Sequence, residues 1–162
     1  MLFFKKKTKE EPVKVLKAFV SGKVIPITEV NDQVFSSKAL GDGVAIKPFA
    51  QTITAPCAGT ISLVAEDSNH AIGMTLNNGA EILLHIGLDT VSLNGEGFRV
   101  FVKAGDKVEQ GDKLMEFDKT FIESKGLETT CILVVANADD YPDTEYVSGM
   151  EAVQNETDIC RF

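Results

Sequence analysis

Two residues of the 162 carry an imidazole, His70 and His85, and both fall in one run, NHAIGMTLNNGAEILLHIGLDTV, from Asn69 to Val91. A neutral imidazole is a nucleophile near pH 7, because its unperturbed pKa is about 6.5. Two of them side by side suit transfer of a group carried on a ring nitrogen, or ligation of a metal. Metal is the poorer match. Structural zinc takes four ligands and catalytic zinc three plus water, and the chain has neither HExxH nor His-x-His. Either chemistry requires the two rings to share one face of whatever element carries them.

That element is a hairpin. Asn77-Asn78-Gly79 separates two apolar runs, and Asn-Gly tolerates the positive φ angles of a tight type I′ turn. With Asn78-Gly79 as the loop, Ala80 pairs with Asn77 and His85 with Ile72, leaving His70 a diagonal neighbour about 7–8 Å away at the backbone. With Asn77-Asn78 as the loop, His70 lies directly opposite His85. Both two-residue registers put the rings on one face, together with Ile72, Met74, Leu76 and Leu83. A three-residue loop would put them on opposite faces.

Around the hairpin, short runs bounded by Gly, Pro, Asn or Asp read as strands: AFVSGKVIPI, GVAIKP, QTITAPC, GTISLVAE, FRVFV, KLMEF and TTCILVVAN. This pattern predicts an all-β sandwich or barrel. One short helix is expected after Asp118, with that aspartate as its N-cap. EILLHIGL is apolar on both faces, which predicts a strand covered on both sides or lying along a docking surface. The length suits one domain, expected over 17–162 behind a flexible tail, 1–16.

The formal net charge of −8 argues against a nucleic-acid partner and for basic ones. Cys57, Cys131 and Cys160 show no CxxC spacing and read as reduced thiols of a cytoplasmic protein. The start, MLFFKKKTKEEP, has its apolar residues ahead of its lysines, the reverse of a secretory signal. It reads as a solvated end, or as a weak membrane-surface contact through residues 1–10.

Five blocks carry a resemblance: SGKVIPITEVNDQVFSSKALGDGVAIKP, APCAGTI, NHAIG, EILLHIGLDTVSLNGEGF and VKAGDKVEQGDKLMEFD. In order and spacing they resemble the glucose-type IIA components of the bacterial phosphoenolpyruvate–sugar phosphotransferase system. The resemblance implies an antiparallel β-sandwich with Greek-key and jellyroll features and a phosphocarrier function. His85 would accept a phosphoryl group on Nε2 from phospho-HPr and pass it to the IIB domain of a sugar permease, with His70 assisting. Ser68 stands where relatives usually have threonine, keeping the supporting hydroxyl. A nearby backbone carbonyl, that of Gly87, is expected to fix the His85 tautomer. Val34, Phe35, Ala39, Leu40, Leu83 and Val91, edged by Asp32 and Asp89, would form the docking surface for both partners. Glu66 and Gly73 replace aromatics found in relatives, so partner preference is expected to differ. The resemblance also implies regulation of permeases or kinases by phosphorylation state. No cofactor is required, though His70 and His85 could take up zinc incidentally with a partner's carboxylate. Because the chain holds no IIB or membrane segment, a free-standing subunit is expected.

Two rivals compete. VKAGDKVEQGDKLMEFDK resembles the Gly-Asp-x-Val-x-x-Gly repeat of biotinyl- and lipoyl-type carriers, with Lys119 as the candidate modified lysine. Its spacing is about two residues short, however, and Lys119 falls at a predicted helix start rather than a tight turn. A zinc-binding β-fold hydrolase is the other rival, and it lacks ligands.

Overall fold

The computed structural model describes residues 11–162. Within them the chain forms fourteen strands, numbered in chain order, and two short α-helices. The largest sheet runs in the order β13 (Glu151–Ala152), β2 (Gly22–Pro26), β3 (Asp42–Pro48), β11 (Cys131–Val135), β7 (Glu81–Ile86), β6 (Ala71–Thr75), β5 (Gly59–Val64) and β9 (Lys107–Val108). A second sheet joins β4 (Thr52–Thr54), β10 (Lys113–Phe117) and β8 (Phe98–Val100). A third joins β1 (Val15–Lys17), β14 (Asp158–Arg161) and β12 (Glu145–Tyr146). Every pairing is antiparallel. Because β11 inserts between β3 and β7, neighbours in the sheet are distant in sequence, as in the crossovers of a Greek-key sandwich. The all-β sandwich expected from the strand pattern is the observed fold.

The sheet positions of β7 and β11 follow from their residues. β11, CILVV, is apolar throughout and buried along its whole length, as a central strand covered on both faces must be. β7 alternates: Ile82, Leu84 and Ile86 enter the main core, whereas Glu81, Leu83 and His85 project from the other face.

That other face is partly roofed. Between β2 and β3 the chain leaves the sheet, makes a 3-10 turn over Ile27–Glu29 and then the helix α1 (Gln33–Ser36). Ile27, Val30 and Phe35 from this excursion, with Leu88, pack on Ile25, Ala45, Ile132 and Val134, and Leu83 borders the cluster. A second small core therefore lies on the histidine side of the sheet. EILLHIGL is apolar on both faces because it is covered on both.

Two further expectations meet the structure here. Asp118 does cap the helix α2 (Lys119–Ser124), its side chain accepting from the Phe121 amide at 2.9 Å. The expected tail, 1–16, ends too late. Val15 and Leu16 belong to β1, and Leu16 is fully buried, since its apolar side chain completes the main core. The membrane-contact reading of residues 1–10 lies outside the described residues. Among the described residues no helix is long and apolar enough to cross a membrane.

Candidate functional site

The hairpin that carries the histidines has neither predicted register. Leu76 faces Ala80, with the Leu76 amide donating to the Ala80 carbonyl at 2.9 Å, so three residues form the loop. Gly79 alone takes the positive φ, +89°, as in three-residue hairpins with glycine in the left-handed position. The asparagines have other work. Asn77 Oδ1 accepts from the Val13 amide at 2.7 Å, Asn77 Nδ2 donates to the Glu11 carbonyl at 2.9 Å, and Asn78 Nδ2 donates to the Val13 carbonyl at 3.1 Å. The Asn78 side chain also accepts from the Ala80 amide at 3.0 Å.

This register puts His85 opposite Ala71 and Leu83 opposite Gly73. Ile72, Met74 and Leu76, expected beside the histidines, point instead into the main core and are 0–3% exposed. Strict alternation would then separate the imidazoles. They meet nonetheless, with ring centroids 4.7 Å apart and planes at 86°. The reason is that His70 precedes β6. Asn69, just before it, takes a left-handed backbone, φ +52°, within a loop closed by the Ala65 amide donating to the Ala71 carbonyl. The two-residue period does not govern a residue leaving such a loop. The loop, not the ladder, brings the rings together.

Each ring is held by neighbours. His70 is 8% exposed, and its Nδ1 lies 2.9 Å from the Ser68 hydroxyl, which is also buried. That hydroxyl can donate to an unprotonated Nδ1 or accept from a protonated one. His85 is half-buried and stacks at a tilt on Phe35, centroids 4.8 Å apart. Its Nδ1 is turned inward, buried and without a hydrogen-bond partner, which turns the Nε2 edge outward. Burial first, and the neighbouring His70 second, lower the His85 pKa to about 4, against upward pulls from the Gly87 backbone and Asp32. The Gly87 backbone pulls the His85 pKa up, yet its carbonyl stands outside full hydrogen-bond geometry. Burial also lowers the His70 pKa. At pH 7 His85 is therefore neutral, with a lone pair available.

The predicted docking residues divide. Val34 (50% exposed), Leu40 (43%) and Val91 (55%) are exposed apolar side chains, and Leu83 is half-buried. Phe35 is not rim: at 4% exposure it is the floor beneath His85, because the amphipathic turn of α1 buries it in the second core. Ala39 and Leu40 line a separate hollow of about 390 Å³ with Asp42, Tyr141 and Tyr146. Asp32 caps α1, its carboxylate accepting from the Val34 amide at 2.9 Å. Asp89 is exposed and left-handed, φ +58°.

Two residues were missed. Leu63, 51% exposed, sits opposite Gly73, which in turn faces Leu83, so the apolar strip extends onto β5. Only the pairing register reveals that row. Thr90, fully buried, packs against the Gly87 turn. Among the described residues no group of three or more His, Cys, Asp and Glu side chains is arranged to hold a metal. Lys119, the candidate for acylation, opens α2 and lies 3.9 Å from the Glu123 carboxylate. A modified lysine needs a tight turn, and the lipoyl-type alternative fails there.

Residues 14–141 match the model of the phosphoenolpyruvate-dependent sugar phosphotransferase system EIIA 1 family. The chain is 41% identical over 158 residues to the glucose-specific EIIA component of Oceanobacillus iheyensis, covering 98% of this chain and 95% of that protein. It is 43% identical over 140 residues to the mannose-specific EIIBCA component of Corynebacterium glutamicum, covering 86% of this chain but 20% of that longer protein. The fold matches that of the glucose permease IIA from Mycoplasma capricolum with a TM-score of 0.77 at 36% identity, over 99% of this chain and 98% of the other. Neither rival reading finds support in these relatives. The chain belongs to the EIIA 1 family of the phosphoenolpyruvate-dependent sugar phosphotransferase system, and it is a phosphotransferase of that system.

Proposed function

We propose that His85 is the phosphoryl acceptor, taking the group on Nε2 from phospho-HPr and handing it to the IIB domain of a glucose-type sugar permease. One observation carries this reading: a neutral, half-buried imidazole with Nδ1 turned inward stands edge to face with a second imidazole at 4.7 Å. Relatives named as glucose-specific EIIA, and as EIIBCA with the B and C parts in one chain, support the acceptor class.

The Nε2 lone pair attacks phosphorus, and the bond from phosphorus to the donor's ring nitrogen breaks, leaving its electron pair on the donor. The His85 ring keeps its Nδ1 proton and gains positive charge as the N–P bond forms. The inward side of the ring, facing the Gly87 backbone, stabilises that charge. His70, steadied by Ser68, offers a polar edge to the phosphoryl oxygens, whose charge is spread in a loose transition state. Delivery to IIB reverses these roles. Val34, Leu83 and Val91 form an apolar rim that limits water around the phosphohistidine, with Asp32 and Asp89 as acidic edges for basic partners.

Control of permeases or kinases by phosphorylation state belongs to the same reading, as does incidental zinc at His70 and His85 with a third ligand from a partner. A cytoplasmic location is supported by three buried cysteines that remain free thiols.

The test is incubation with phosphoenolpyruvate, the general enzyme of the system and HPr, with the modified residue mapped by mass spectrometry at alkaline pH. Phosphate should appear on His85. His85→Gln should accept none, whereas His70→Gln should accept it but deliver it to IIB at least tenfold more slowly. Phosphate mapped to His70, or normal delivery by His70→Gln, overturns the assignment.

A further inference from the structure

The turn following β7 is tied down by one side chain that the reaction, as described, does not use. Thr90 is 0% exposed, and its hydroxyl donates to the Ile86 carbonyl at 2.6 Å. Its methyl presses on Gly87: a Cβ at that position would meet Thr90 Cγ2 at 2.4 Å, Thr90 Oγ1 at 3.2 Å and the Glu128 carbonyl at 3.1 Å. Gly87 holds φ at +81°, which glycine adopts freely. Its amide donates to the Thr130 carbonyl at 2.9 Å, and the Leu88 amide donates to the Glu128 carbonyl at 3.0 Å.

Residues 86 to 88 are therefore fixed from two sides. The Gly87 and Leu88 amides donate to the segment before β11, the Ile86 amide donates to the His70 carbonyl at 2.8 Å, and the Thr90 hydroxyl donates to the Ile86 carbonyl. The Gly87 backbone lies against His85 and favours its protonated ring, and the inward Nδ1 of His85 is buried without a hydrogen-bond partner. A buried hydroxyl bonding to the carbonyl four residues earlier is common in helices. Here the hydroxyl belongs to the first residue of the 3-10 turn Thr90–Leu93 and closes the loop before it rather than a helix.

We infer that Thr90 is a positioning residue for phosphoryl transfer: its hydroxyl, by holding the Ile86 carbonyl, aims the Gly87 carbonyl at His85 Nδ1, keeping the proton there and the lone pair on Nε2. This rests on His85 being the acceptor. As the ring gains positive charge on phosphorylation, the same carbonyl closes onto Nδ1–H, so the alignment matters more in the transition state than in the resting protein. Loss of the hydroxyl should lower kcat for acceptance and leave KM for phospho-HPr unchanged, because Thr90 lies beneath the surface that a partner meets.

Two variants separate hydroxyl from methyl. Thr90→Val keeps the shape and removes the donor; Thr90→Ser keeps the donor and removes the methyl. In the full chain, 15N–1H correlation spectra of the imidazole read the His85 tautomer directly, without any phosphoryl donor. Wild type and Thr90→Ser should show the proton on Nδ1. Thr90→Val should show a mixture of tautomers and a kcat for acceptance reduced about tenfold, at a KM within twofold. A single Nδ1–H tautomer and a full rate in folded Thr90→Val overturn the inference. If Thr90→Val does not fold, Thr90→Ser decides: a mixed tautomer there overturns it, and a wild-type tautomer with a wild-type rate supports it. Because the tautomer is read without phosphate, wild-type protein that is never phosphorylated on His85 refutes the acceptor assignment separately.

Discussion

His85 is hard to protonate. Burial and the nearby His70 lower its pKa to about 4, so its nucleophilic form is fully populated at pH 7 and still predominates at pH 5. An NMR titration should place its midpoint near 4; a midpoint near 6.5 would show a solvated ring. His70→Gln, which removes the like charge, should move that midpoint up. Asp32→Asn, which removes a favourable charge, should move it down. Stability carries the same signature. The unfolded chain takes up a proton near pH 6.5, and folded His85 does not until about 4, so the unfolded state binds more protons in between and folding weakens as pH falls across that window. His70, also lowered, adds with the same sign. Urea melts at pH 7 and pH 5 measure it, and equal midpoints would count against the shift. Both histidines stand out in the sequence as candidates from their scarcity and proximity. Their protonation does not, because it depends on how much water the fold removes.

At the scale of elements, the site depends on a helix of four residues. Asp32 caps α1, and α1 delivers Phe35 beneath the His85 ring. Asp32→Ala should cost about 1 kcal/mol as a lost cap, while Asp32→Asn keeps the capping oxygen and so should lose less, a difference denaturant melts resolve. Phe35→Ala should cost roughly 3–5 kcal/mol through the cavity it leaves, and should let the His85 ring reorient, seen as loss of the ring-current shift on its imidazole protons. An unchanged His85 spectrum would deny Phe35 any part in holding the ring. The caps show what local sequence can reveal. Asp118 is readable because a capping side chain bonds to its own neighbours. The hairpin register is not, because the Asn77 and Asn78 amides that a two-residue turn leaves free are bound by Glu11 and Val13, more than sixty residues earlier.

For the whole molecule, charge and layering set what can dock. A formal charge of −8 gives the surface a long-range attraction for basic partners. Under the proposed function, the rate of association with HPr should therefore fall with salt, by about tenfold between 50 and 500 mM, while kcat at saturation stays constant. A salt-independent rate would mean that the apolar rim alone governs the encounter. The rim can stay exposed without loosening the fold because it lies over the second core, not the main one. Val34 and Val91 are exposed, while Phe35, Leu88 and Ile132 are buried in the second core.

The sequence by itself determined the all-β class, the strands β2 to β8, β10 and β11, the capped helix after Asp118 and the pair of imidazoles proposed to do the chemistry. These follow from residue type, alternation and turn composition, which act over a few positions. Only the tertiary structure decided that the rings meet. The ladder register sets them on opposite faces, and a left-handed turn at Asn69 reverses that by freeing His70 from the strand's two-residue period. It also decided that Phe35 is floor rather than rim, that Leu63 extends the apolar strip and that Thr90 clamps the Gly87 turn. Each of these depends on which distant backbone lies alongside, and no local pattern encodes that.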